Sequence, residues 1–161
     1  MAKGSQIIVS ANPQGKFDEC VISGTPKPGV CMEIVPGTAL QGGRPTMRAV
    51  TRATGAKGPI CVLLPDSMQG KLPTDAYVDG TRGFVYWPIA GEELNMLLGD
   101  VSGTGSVEDT AIGDLFGVET VTGKIIANSA YTATPFQSME ARHGFITADE
   151  LLWTKFLGMS A

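Results

Sequence analysis

Three cysteines, one histidine and adjacent acids such as Glu92-Glu93 and Glu108-Asp109 are residues of this chain whose types could do chemistry. Cys20, Cys31 or Cys61 would supply a thiolate nucleophile, and His143 the base that activates it. Each cysteine lies in an apolar run where the residue packs as a small hydrophobe, and His143 lies in the loop-like Glu140-Ala-Arg-His-Gly-Phe145 with no orienting partner nearby in sequence. The three cysteines are an odd number without CxxC spacing, which points to a reducing compartment rather than a disulfide scaffold. Glu92-Glu93 and Glu108-Asp109 lack the alternating spacing and terminal glutamate of a calcium loop. Gly103-Thr-Gly105 lacks the third glycine and the lysine of a phosphate loop. These features predict no catalytic centre, no metal site and no cofactor.

The elements that would position such residues are short strands between tight turns. Glycine (21) and proline (10) are well above their combined average of about 12%, and 43% of the chain is hydrophobic. That combination fits many turns around a real core, not disorder. Strands are expected at Cys20–Ile22, Val30–Val35, Met47–Thr51, Ile60–Leu64 and Phe84–Trp87, then at Ala111–Val118 and Ile125–Ala127 as a hairpin, and at Leu151–Leu157. Thr25-Pro-Lys-Pro-Gly29 reads as a rigid turn, and Pro65–Thr74 as a loop that carries partner contacts or nothing specific. One short helix is expected at Glu92–Leu98, with two acids in its first turn and Leu94, Leu97 and Leu98 on one face. The fold class predicted is mainly β: a small β-barrel-like domain with one short helix, long loops and an extended N-terminal arm.

Residues 1–19 form that arm and 20–161 the β-rich domain. The arm has a single apolar patch, Ile7-Ile8-Val9, too little for a core of its own. Extended, it reaches on the order of 60 Å, enough to pair with a neighbour. Charge is segregated. Between Ile34 and Pro65 the only charges are Arg44, Arg48, Arg52 and Lys57, while Gly83–Gly123 holds acids and no base. Complementary blocks of this kind either set register and partner choice between chains or pair within one fold and face water. Ile7, Ile8, Val9, Arg44, Arg48, Arg52, Glu92 and Glu93 are therefore the expected partner-binding residues. A net charge of −4 and the absence of aromatic residues among the arginines argue against direct nucleic-acid binding. No run approaches the ~20 apolar residues of a membrane span, and no signal peptide opens the sequence.

In order, Thr25-Pro-Lys-Pro-Gly-Val30 leading into Met32–Val35, Asp75-Ala-Tyr-Val-Asp-Gly80 before a strand, and Ala90-Gly-Glu-Glu-Leu-Asn-Met-Leu-Leu98 resemble the capsid cement, or head decoration, proteins of tailed bacteriophages. Ile112-Gly-Asp-Leu-Phe116, the turn Thr122-Gly-Lys124, Phe136–Ala141 and the strand Leu151–Leu157 extend the resemblance over roughly residues 20–157. The resemblance implies a non-enzymatic β-barrel-rich virion protein, made in the host cytoplasm and bound outside the capsid. It would bridge major capsid proteins as a homodimer or homotrimer and stabilise the shell against internal DNA pressure. The loop Gly99–Asp109 and the arm depart from the family pattern. Two other readings stand beside it: a small β-barrel adaptor or tail-associated binding module, and a cysteine-dependent hydrolase using Cys31 or Cys61 with His143.

Overall fold

In a computed structural model of the chain, residues 6–10, 15–50, 59–99, 106–107, 110–126, 135–141, 146–147 and 150–158 are described. Alternating apolar residues make the first layer. Strands β2 (Lys16–Ile22), β3 (Cys31–Ile34), β4 (Thr46–Ala49), β5 (Cys61–Leu64) and β6 (Arg82–Trp87) close into a barrel in the order β2-β4-β3-β5-β6. β2 and β4 run parallel and the other pairs antiparallel. Closure is made by β6 returning along β2 from Lys16↔Trp87 to Val21↔Arg82. Every second side chain points inward, so Cys20, Ile22, Met32, Met47, Cys61, Leu63 and Val85 fill the interior. Tyr77, from the loop between β5 and β6, packs on this cluster and donates from its hydroxyl to the Leu64 carbonyl at 2.8 Å.

The second layer is a six-stranded antiparallel sheet built from β1 (Ile8–Ser10), β7 (Glu93–Leu97), β9 (Leu115–Val118), β10 (Ile125–Ile126), β11 (Phe136–Ser138) and β13 (Leu151–Phe156). Its order is β1-β7-β13-β11-β9-β10. The sheet curls until β10 meets the end of β7, where Leu98 bridges Ile125 and the Gly99 amide donates to the Ile125 carbonyl at 2.9 Å. β8 (Ser106–Val107) and β12 (Ile146–Thr147) form a separate two-stranded ribbon. The only helical element among the described residues is a 3₁₀ turn, Ser67–Gln69, whose preceding Asp66 accepts from the Gln69 amide.

The two layers share one apolar seam. On β5 the pleat sends Cys61 and Leu63 into the barrel and Val62 outward onto the sheet. There Val62, Cys31 and Tyr86 meet Leu94, Met96, Leu98, Phe116, Phe136, Leu152 and Phe156. Hence the unbroken apolar run at 60–64: both faces of this strand are covered. Backbone bonds weld the same seam. Gly29 donates to Leu63 and accepts from Leu97, at 2.8 and 2.9 Å, and the Cys31 amide donates to Gly123 at 2.7 Å. The expected proline–glycine turn is present, with Gly29 at positive φ.

The expected strands fall close to where the sequence puts them, but the first strand of the hairpin expected at Ala111–Val118 begins only at Leu115, residues 111–114 forming a turn. On β13, Leu152, Thr154 and Phe156 face inward. The expected helix at Glu92–Leu98 is overturned: the segment is strand β7. Leu94, Met96 and Leu98 fall on the seam at period two, while Leu97 faces the barrel cluster. A strand sandwiched between two layers carries apolar residues on both faces, which places leucines at i, i+3 and i+4 as a helix would. The expected arm boundary at residue 19 falls inside β2, so residues 16–19 are part of a barrel stave.

Burial foremost, and then the nearby Asp66, push the Tyr77 phenol up to about 12. Its pKa is higher folded than unfolded, so the stability it contributes is intact below about pH 10 and is lost as pH rises toward 12. Alkaline melts of Tyr77→Phe are expected to fall less steeply across that window than those of the wild type. Equal slopes would show that this phenol does not contribute.

Candidate interaction surfaces

Strand β1 carries the apolar patch of the N-terminal segment. Ile7 is 2% exposed in the seam, and Ile8 pairs with Leu94. Asn95, fully buried on β7, fixes this strand: its backbone amide donates to the Ile7 carbonyl at 2.7 Å and its side-chain amide to the Gln6 carbonyl at 2.6 Å. In this single chain the patch therefore lies on the chain's own β7, and β1 forms an edge of the six-stranded sheet. The Val9 side chain lies outside the described residues.

The expected charged contacts separate into inward and outward groups. Arg44 and Arg82 both pair with Glu19, and Arg82 also lies 4.8 Å above the Phe84 ring. Arg48 donates through Nε to Glu33, a residue only 2% exposed, at 3.1 Å. The described arginines of the basic block thus meet acids of the barrel. Arg52 and Lys57 lie outside the described residues. Glu92 does not reach the surface and does not start a helix. It is 4% exposed, and its carboxylate accepts from the Tyr86 hydroxyl at 2.6 Å and the Ile89 amide at 2.8 Å. Burial, and then the bond to Glu92, push the Tyr86 phenol well up. Glu93 is half-buried and accepts from the Trp153 indole at 3.1 Å.

Large apolar side chains left in water define a surface that the charge pattern did not single out. Met68 (80% exposed), Leu72 (60%) and Val78 (66%) stand on the loop joining β5 to β6. Leu40 projects from the β3–β4 loop, Ile112 from the turn before β9, and Val121 from the turn after it. Three large apolar side chains exposed on one loop make the 65–81 segment the candidate contact element. One signal was legible: Met68 and Leu72 sit in a stretch of turn-forming residues, where a large apolar side chain has no strand face to bury it.

The thiols have the opposite character. Cys20, Cys31 and Cys61 are all buried and unpaired by disulfides. Burial foremost, with a smaller push from Asp18, raises Cys20 to about 12, and burial raises Cys31 and Cys61 further. A thiol held protonated is a poor nucleophile. His143 lies outside the described residues. A disulfide-exchange reagent is expected to find no reactive thiol in the native protein and three in denaturant. A fast-reacting native thiol would contradict this placement. Among the described residues no group of acids, cysteines and histidines is arranged to hold a metal, and no helix is long and apolar enough to cross a membrane.

No protein-family model matches the chain, and no curated protein matches it either.

Proposed function

We propose that this chain is a structural capsid cement protein, not an enzyme. It binds the outside of an assembled phage head as a homo-oligomer, bridges major capsid proteins, and stabilises the shell against internal DNA pressure. One observation carries the reading beside the sequence resemblance. Large apolar side chains, Met68, Leu72 and Val78 above all, stand exposed on loops held by a stiff two-layer β framework. Rigid display of apolar anchors suits docking onto a preformed surface, because little ordering entropy opposes it. Repetition over many copies on a symmetric shell makes modest contacts sufficient. The sheet edge at β1 offers backbone groups for strand addition to a neighbour.

Co-sedimentation with purified expanded shells tests the proposal. The wild type is expected to pellet in a fixed ratio to the capsid protein and to delay bursting under osmotic or thermal stress. Met68→Asp combined with Leu72→Asp is expected to weaken shell binding at least tenfold, about 1.4 kcal/mol, with the melting curve unchanged. Binding only to unassembled protein or to a tail structure would replace this reading with the adaptor one.

A further inference from the structure

We infer that the loop between β5 and β6 receives an arginine side chain of the protein it docks on, the guanidinium seating against Asp66 in the cleft beneath the loop. The cleft holds about 190 Å³, below the roughly 300–1,000 Å³ of small-molecule sites, which leaves room for one side chain. Asp66, Asp75 and Tyr77 line it, with Val78 at its wall.

Asp66 is 4% exposed, yet among the described residues one bond reaches its carboxylate: the Gln69 amide donates to Oδ1 at 3.3 Å. That bond caps the 3₁₀ turn. It leaves Oδ2 without a donor, and none of the ion pairs among the described residues includes Asp66. A desolvated carboxylate without a counter-charge is costly, and a cation that reaches it offsets that cost. The neighbours are committed elsewhere. Tyr77 donates to the Leu64 carbonyl at 2.8 Å. Arg82 also lines the cleft, but Glu19 holds it at 2.8 Å and it lies over the Phe84 ring. Lys71 is exposed at the cleft and makes no ion pair with Asp66. Asp75 adds a second carboxylate, one oxygen of which accepts from the Leu72 amide at 2.8 Å.

The surroundings of the cleft select among cations. Met68, Leu72 and Val78 stand exposed on the same loop, so the entering group crosses an apolar rim. Arginine has an apolar stem under a guanidinium that sheds water more readily than an ammonium does, and it is enriched among the buried anchors of interfaces. An apolar ring around the ion pair keeps water from competing for it. The assignment rests on the docking of this loop proposed above and adds what the partner presents to it.

Titration of the purified full chain with N-acetyl-arginine methylamide, followed by amide NMR, tests the cleft without any shell. Saturable shifts are expected within residues 66–82, and none with the neutral citrulline analogue. Asp66→Asn is expected to weaken the arginine response at least tenfold. Asparagine keeps an acceptor for the Gln69 amide and caps as well as aspartate, so the loop keeps its shape. No saturable shift, shifts spread over the whole surface, or an equal response to citrulline overturns the inference, and these wild-type readings need no variant to fold. In co-sedimentation with expanded shells, Asp66→Asn is expected to bind at least tenfold more weakly with its melting curve unchanged. If Asp66→Asn binds shells as the wild type does while Met68→Asp with Leu72→Asp does not, the arginine contact is overturned and docking of the loop stands. If both bind as the wild type does, docking of the loop falls, and the arginine contact with it.

Discussion

Gly123→Ala is expected to be the most damaging single substitution among those considered, because it separates the two layers of the fold. Gly123 sits in the left-handed region at φ +68°. A methyl group there would lie 2.4 Å from the Cys31 carbonyl oxygen and 3.3 Å from both the Ala49 Cβ and the Val50 nitrogen. Those are parts of the barrel, and two of them are backbone, which cannot swing aside. The same glycine accepts the Cys31 amide bond that ties hairpin to barrel. Left-handed strain of about 1–2 kcal/mol adds to an overpacking cost of about 1–3 kcal/mol. A loss of about 2–5 kcal/mol is a large part of the ~5–15 kcal/mol of a typical domain. Chemical denaturation reads it directly. A loss below about 1 kcal/mol would mean that the hairpin tip is not welded to the barrel.

The second large effect is expected at Glu92, which ties the same layers at the corner between β6 and β7. Its two carboxylate oxygens take the Tyr86 hydroxyl from the barrel and the Ile89 amide from the connecting turn. Glu92→Ala strands both donors in a site that is almost wholly buried, costing about 2–4 kcal/mol. Glu92→Gln keeps a carbonyl for the Ile89 amide, and its new N–H group can donate to the Tyr86 oxygen, so it is expected to cost about 1 kcal/mol. Denaturation of the pair separates two roles. If Gln costs as much as Ala, the negative charge matters; if neither costs anything, Glu92 is a surface residue and the packing described is wrong.

What the sequence made legible follows from how local each signal is. The proline–glycine turn at 25–29 and the 115–126 hairpin were readable because glycine and proline mark turns whatever surrounds them. The strand 60–64 was readable from an unbroken apolar run. β7 was not, because a strand buried on both faces loses the period-two signature, and Gln6 and Ile7, the partners of its buried Asn95, lie 88 and more positions away. The intrachain partners of the charged candidates were not legible for a related reason. Arg44, Arg48 and Glu92 are sequence-distant from the groups they meet, and only the topology brings Glu19, Glu33 and Tyr86 to them. The segregation of charge was real in the sequence but did not decide which charges face outward. Loop composition marked 65–74 as a place for partner contacts, and burial then picked out Met68, Leu72 and Val78 as the exposed apolar residues of the 65–81 loop.

We propose that this two-layer β protein acts by adhering to the outside of an assembled shell. Electron microscopy of shells assembled with and without the protein tests it most directly. Added density is expected at a fixed set of symmetry-related positions on the outer surface, with the loop bearing Met68 and Leu72 against capsid subunits. Shells saturated with the protein that show no added outer density, or density confined to a portal or tail, would contradict it.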